Sequence, residues 1–342
     1  MESEKLKVRS TNKINDLYKT KYHTEDLSKF SFLVTGGAGF IGANLVAYLL
    51  NFGAKKVRVL DNLATGSLEN LRAFESNPSF EFMKGDIRDL EVCKTAMQNI
   101  DYVSHQAALG SVPRSINDPI TSNDVNVSGF LNMLVAQNES KSVNRLVYAA
   151  SSSTYGDSKT LPKKEETIGK PISPYAVTKL INEVYADVFY KTYGTKTIGL
   201  RYFNVFGPKQ RPDGAYAAVI PLFMRALQND QAPKINGDGE QTRDFTFVEN
   251  AVQANVRAFF ASEEAVNEVF NVAYGDRISL NTLWKELQEI SGKSIEAVHG
   301  PSRKGDVRDS LANIDKANKL IGYEPLFSVA DGLKITWEQF SS

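Results

Sequence analysis

The sequence predicts an α/β fold: a doubly wound, mainly parallel sheet followed by a smaller mixed α/β lobe. Three observations predict it. Short apolar runs alternate with helical stretches from residue 30 to about 205, the pattern of successive βαβ units. The first apolar run ends in a glycine-rich turn that opens a helix. Beyond residue 205 the alternation is broken by Pro208, Pro212, Gly214, Pro221, Pro233, Gly237 and Gly239, which leaves only short elements between turns.

The elements follow in order. Residues 1–28 form an N-terminal extension, either a surface helix or a partly mobile arm. Phe30–Thr35 reads as a buried strand, Gly36–Gly42 as a turn, and the stretch from Ala43 to Asn51 as a helix. Val57–Asp61, Phe80–Lys84, Tyr102–Gln106, Arg145–Ala149 and Thr197–Arg201 are further strand runs. Helices are expected over Leu90–Gln98, 121–138 and 174–192. The expected units are the extension at 1–28, a sheet domain at 29–205, and a lobe at 206–342. In the lobe, helices are expected at 280–291 and 315–321, with Phe270–Val272 returning toward the sheet.

Composition excludes several function classes. Lysine and arginine balance aspartate and glutamate at 40 each, so no global attraction to nucleic acid or an anionic membrane is expected. Cys93 is the only cysteine and there are three histidines. An internal disulfide is therefore impossible, and a structural zinc site or other metal centre is not expected. The balance fits a reducing, cytoplasmic compartment. Residues 1–30 are polar and charged, so no signal peptide is expected, and no apolar run of about 18 residues suggests a spanning helix.

Gly36, Gly39 and Gly42 lie between a strand and a helix in GxxGxxG spacing. The first permits a tight turn, the second lets backbone approach a pyrophosphate, and the third allows close helix–strand packing. The helix N-terminus then offers N–H groups to phosphate. Asp61 closes the next strand, 25 residues after Gly36. A carboxylate there accepts from adenosine ribose hydroxyls and repels a 2′-phosphate, which favours NAD. Asp86, at the third strand's end, is either an adenine acceptor or a turn aspartate.

Tyr175 and Lys179 are four apart in a helix, with Pro174 in its first turn, so they share a face. A free tyrosine has a pKa of about 10. A neighbouring ammonium favours the phenolate, so the pair is expected to be a tyrosine tuned downward for proton transfer. Upstream, Ser151, Ser152 and Ser153 follow a strand, at the end where ligands bind in such sheets.

The chain from about 30 to 337 resembles the extended short-chain dehydrogenase/reductase superfamily, with its Rossmann-type sheet, and within it the UDP-hexose 4-epimerases. The resemblance rests on Val34–Gly42, Asp61-Asn62, Gly85–Asp89, His105–Ala108, Ser151–Gly156, Ser173–Lys179, Arg201–Pro208 and Arg243–Phe245. It implies that Tyr175 is the proton acceptor, that Lys179 lowers its pKa and holds the nicotinamide ribose, and that Ser151 bonds the sugar 4-oxygen, with Ser152 and Ser153 adjoining. It implies a tightly held NAD, regenerated each turnover. NAD contacts are expected from Gly36, Gly39, Phe40, Ile41, Gly42, Asp61, Asn62, Thr65, Gly66, Asp86, Ile87, Gln106, Ala107, Ala108, Tyr175, Lys179, Phe203 and Val205.

The resemblance also implies a UDP-sugar substrate held by Ser111, Asn204, Ala217, Ala218, Val219, Asn236, Arg243, Arg303, Asp306 and Ser310. Arg243 and Arg303 suit the diphosphate, and Asp306 suits the uridine ribose. Segments Ala107–Ser115 and Gly214–Pro221 are similar to bacterial UDP-N-acetylhexosamine 4-epimerases of surface-polysaccharide pathways. Ser310 stands where the family's glucose enzymes carry a bulky residue, and Ala217-Ala218 where they often carry asparagines. Both leave room for an N-acetyl group, so UDP-GlcNAc and UDP-GalNAc are the expected substrates. A homodimer joined through the helices at 121–138 and 174–192 is also implied. Rival readings are a UDP-glucose or UDP-glucuronate enzyme, the latter with Arg114 as the only visible extra cation, and a non-catalytic NAD sensor. The acid pair expected of a 4,6-dehydratase is absent after Ser151.

Overall fold

The computed structural model describes residues 17–212, 217–301 and 308–341. Six strands run from Ser31–Thr35 (β1) through Lys56–Asp61 (β2), Phe80–Lys84 (β3), Tyr102–His105 (β4), Arg145–Ser151 (β5) and Thr197–Tyr202 (β6). A seventh strand from the C-terminal half, Val269–Val272, pairs with β6. The order across the sheet is β3, β2, β1, β4, β5, β6 and then this seventh strand, and every pairing is parallel.

The central strands are mostly apolar because both faces are covered, whereas the edge strand β3 (FEFMK) is only partly buried. In β1, Phe32 and Val34 join one core cluster while Leu33 joins the other, the period-two alternation of a strand. The first cluster packs Leu45, Val46 and Leu49 of helix α1 (Phe40–Asn51) with Ala251, Val252 and Val256 of a helix spanning Val248–Phe259. The second packs helix α2 (Leu90–Ala96), helix α3 (Gly129–Glu139) and helix α4 (Pro174–Tyr193) on the opposite face.

The lobe has its own core of Phe223, Met224, Leu227, Leu283, Trp284, Leu287 and Leu333. Its helices are Val219–Gln228, Leu280–Ser291 and Val329–Ser341. Val205–Phe206 pairs in parallel with Thr246–Phe247, so this short ribbon continues from the end of β6 and links sheet to lobe. Val248–Phe259 follows the ribbon directly and covers the sheet.

Strand order reverses direction at β1, with β2 on one side and β4 on the other. The crevice past their C-terminal ends is where such sheets bind ligands. Among the described residues, no helix is long and apolar enough to cross a membrane.

Candidate active site

The glycine turn shows why those positions carry no side chain. Gly36 has φ +66°, and a Cβ there would lie 2.7 Å from the Ala107 nitrogen. A Cβ on Gly42 would lie 2.4 Å from the Gly36 carbonyl oxygen, so the first turn of α1 presses on the end of β1. Gly39 caps α1 without a side-chain hydrogen bond, leaving its first N–H groups for a ligand.

A cleft of about 480 Å³ opens on this turn. Its walls bring together Gly36, Gly39–Gly42, Asp61, Asn62, Thr65, Asp86, Ile87, Gln106, Ala107, Ala108, Ser151, Tyr175, Lys179, Asn204 and Val205. Asp61 is buried and accepts from the Ala38 N–H at 3.0 Å and the Leu63 N–H at 2.8 Å. Burial raises its pKa, and those two donors oppose the rise. Asp86 is held well below the usual carboxylate range, chiefly by Arg88, which donates to it at 3.1 and 2.8 Å. Asn62 donates to the same carboxylate at 2.8 Å. The cleft-lining aspartate is thus also the anchor of a surface ion pair. Gly66 does not line the cleft; it backs the turn, where a Cβ would meet Ala38 at 2.9 Å.

At the other end of the cleft lie the serine, tyrosine and lysine. Ser173 caps α4, accepting from the Ala176 N–H at 3.2 Å, and Pro174 occupies the first turn. The cap fixes where Tyr175 stands. Its N–H also donates to Ser115 Oγ at 3.0 Å. Ser151 ends β5 directly opposite Tyr202 of β6, and its hydroxyl accepts from the Ser153 N–H at 3.1 Å and the Ser153 hydroxyl at 2.8 Å. Lys179 is buried and donates to the Ala149 carbonyl at 2.7 Å.

The pKa expectation needs correction. Burial raises the Tyr175 pKa above its ordinary value, and the hydrogen bond with Ser151 pulls it back only in part. Burial also lowers Lys179, to about 8. Its Nζ lies 6.0 Å from the Tyr175 ring centre and is turned toward Ala149. Helical spacing brings the pair together, but desolvation is the largest cause acting on each group.

A second cavity of about 180 Å³ adjoins the first through Asn204, which lines both. It is lined by Ser152, Ser153, Tyr155, Lys163, Ser173, Phe203, Arg243 and Ser310, among others. Ser310 accepts from the Asp244 N–H at 3.3 Å. Arg243 donates to the carbonyls of Thr242 and Arg308, each at 2.9 Å. Phe203, expected on the cofactor, instead faces this smaller cavity. Its neighbour Tyr202 takes the cleft, since successive residues at a strand end point to opposite sides.

Ser111, Ala217, Ala218, Val219 and Asn236 do not appear among the described lining residues of either cavity. Ser111 caps the short helix Val112–Asn117 with φ +97° and ψ 120°, Ala218 caps Val219–Gln228, and Asn236 ends a lobe strand. Arg303 and Asp306, with Gly214–Tyr216, lie outside the described residues.

Several site residues escaped the sequence reading. Tyr202 accepts from Gln106 at 3.1 Å and from Asn255 at 2.7 Å, and Gln106 also bonds Ser104 and Asn255. This buried network sets the floor of the cleft. Tyr202 stood in a quoted motif, but Asn255 belongs to a distant helix that nothing local marks. Lys163 is buried in the smaller cavity wall; its N–H donates to the Leu311 carbonyl at 2.7 Å, one residue beyond Ser310. Arg114, the candidate cation of the UDP-glucuronate rival, lines neither cavity among the described residues.

A glycine turn at the switch point of a parallel sheet, running to a half-buried tyrosine and a buried lysine and serine, defines a dinucleotide-dependent enzyme site. The chain belongs to the NAD dependent epimerase/dehydratase family, whose model matches residues 32–273. The UDP-glucose 4-epimerase of Mycolicibacterium smegmatis is 36% identical over 310 residues, covering 90% of this chain and 97% of its own. A UDP-glucose 4-epimerase structure from Thermotoga maritima, solved with UDP-glucose, superposes with a TM-score of 0.85 at 38% identity, covering 91% of this chain and 98% of that one. A UDP-N-acetylglucosamine 4-epimerase structure from Methanobrevibacter ruminantium, in complex with UDP-N-acetylmuramic acid, gives 0.86 at 35% identity and the same coverage.

Proposed function

We propose that the chain is an NAD-dependent UDP-sugar 4-epimerase acting on UDP-GlcNAc and UDP-GalNAc for surface-polysaccharide precursor supply. NAD, held by the Gly36–Gly42 turn and Asp61, would supply the hydride acceptor and donor for C4, on opposite faces of the sugar. Tyr175 removes the C4 hydroxyl proton and gives it back, while Ser151 holds the 4-oxygen. Lys179 supplies positive charge beside them, and the sugar turns over as a 4-keto species between the two halves. Arg243, with Arg303, holds the diphosphate, so the nucleotide end is gripped while the sugar is free to turn.

The observation that carries the N-acetyl reading is Ser310 on the wall of the smaller cavity, beside Ser152 and Ser153. Three small residues together leave room for a 2-acetamido group where a tyrosine would fill it. The rival UDP-glucuronate reading gains one feature, the buried Lys163 in the same wall. NMR of the purified protein with UDP-GlcNAc, UDP-Glc and UDP-GlcA in parallel, without added NAD, tests the reading. Turnover of UDP-Glc or UDP-GlcA with UDP-GlcNAc unchanged refutes the substrate class, and NAD bound without turnover of any of the three refutes the enzyme. We further propose a homodimer through α4, whose Val177, Val184 and Val188 are exposed, checked by light scattering.

A further inference from the structure

The NAD cleft has two walls that come from distant parts of the chain. One is the first turn of α1, with Phe40, Ile41 and Gly42; the other carries Asn204 and Val205. Asn44 joins the first wall to the chain three residues past the second: its amide nitrogen donates to the Phe40 carbonyl at 2.8 Å and to the Pro208 carbonyl at 3.0 Å. Asn44 is fully buried, so its amide must be oriented by whatever donates to its oxygen.

That donor is the Tyr18 hydroxyl, from the N-terminal segment. The same tyrosine's N–H donates to Glu249 at 3.1 Å, and its carbonyl accepts from Asn51 at 2.8 Å. Tyr22 repeats the bridge: its N–H donates to the Tyr48 hydroxyl at 2.7 Å and its own hydroxyl to Glu249 at 2.8 Å. Asn44, Tyr48 and Asn51 are on α1. Glu249 is in the first turn of Val248–Phe259, directly after the ribbon strand that pairs with Val205–Phe206. Each tyrosine therefore ties α1 to the element behind the second wall. Tyr18 is held at φ +60°, a conformation that persists in a bulky residue only where its surroundings fix it. These contacts precede residue 32, where the family model begins.

We propose that Tyr18 and Tyr22 are positioning residues for the cofactor, clamping the two walls of the NAD cleft so that bound NAD is retained between turnovers. Tyr18→Phe leaves the Asn44 oxygen without its donor and frees the amide to turn from Phe40 and Pro208. The test uses the full chain loaded with radiolabelled NAD and follows its displacement by excess unlabelled NAD. Tyr18→Phe is expected to release NAD about tenfold faster, the factor that loss of one buried hydrogen bond gives when it is felt at the cleft. Its kcat at saturating NAD stays within about twofold of wild type. Asn51→Ala removes only the exposed bond to the Tyr18 carbonyl and is expected to shift the rate the same way by less. A Tyr18→Phe protein that melts earlier yet releases NAD at the wild-type rate overturns the proposal, because the segment is then packing alone. If Tyr18→Phe fails to fold, Asn51→Ala and Tyr22→Phe decide by the same comparison.

Discussion

Replacing Tyr175 by phenylalanine removes one oxygen from a site with no substitute for it. Ser151 keeps its two bonds from Ser153, at 3.1 and 2.8 Å, so the fold loses about one hydrogen bond, on the order of 0.5–1.5 kcal/mol. The other titratable groups of the cleft cannot take over. Lys179 is engaged at Ala149 and lies 6.0 Å from the ring centre. Asp61 is committed to two backbone donors beside the glycine turn, and Asp86 to Arg88 and Asn62. The loss is therefore that of an unreplaced acid–base group, about 100- to 10,000-fold in kcat, or roughly 2.7–5.4 kcal/mol at about 1.36 kcal/mol per decade. The assay is the NMR conversion of UDP-GlcNAc, with NAD content per chain measured on the same sample. Full NAD with turnover within about tenfold of wild type refutes Tyr175 as the proton acceptor.

Three further outcomes follow from the same geometry. Gly36→Ala sets a Cβ 2.7 Å from the Ala107 nitrogen at φ +66°; a left-handed non-glycine residue costs about 1–2 kcal/mol before the clash, so the variant should purify without NAD, and stoichiometric NAD would contradict the turn's role. Ser310→Tyr should lower turnover of UDP-GalNAc by about 10- to 200-fold, the range of one pocket contact, while sparing UDP-Gal; equal loss on both would show that Ser310 does not gate the 2-substituent. Burial lowers Lys179 to about 8 when folded, against about 10.4 unfolded, so above pH 8 the native protein gives up a proton that the unfolded chain keeps. The penalty of burying that charge is thus full below pH 8 and fades as pH rises toward 10. Wild type should gain thermal stability relative to Lys179→Met between pH 7.5 and 9.5, and an unchanged gap in melting temperature would mean that Lys179 is not desolvated.

What could be read from sequence is what depends on near neighbours. The sheet was legible because strands buried on both faces carry unbroken apolar runs, as Phe32–Val34 of β1 does. The turn was legible because three glycines answer three separate steric demands within seven residues. The Tyr175–Lys179 pairing was legible because helical geometry fixes it. The direction of their pKa shifts was not, since desolvation depends on what covers a residue, and local spacing does not reveal the cover: Lys179 meets the Ala149 carbonyl of β5, thirty residues back. The wall of the smaller cavity was hidden for the same reason. Lys163 stands beside Ser310 only because its backbone pairs with Leu311 across nearly 150 residues, and Asn255 meets Tyr202 only because Val248–Phe259 returns to cover the sheet. The N-terminal segment follows that rule too. Its tyrosines carry no motif, yet they reach α1 and Glu249, elements separated by some two hundred residues. A contact of such long range is costly in chain entropy to form. The two bridges from one short segment close α1 and Glu249 onto each other together, so the second is made with much of that cost already met by the first. The clamp should therefore act as a unit: in a double-mutant cycle on NAD release, Tyr18→Phe with Tyr22→Phe should fall short of the sum of the two, and strict additivity would mean two independent packing contacts.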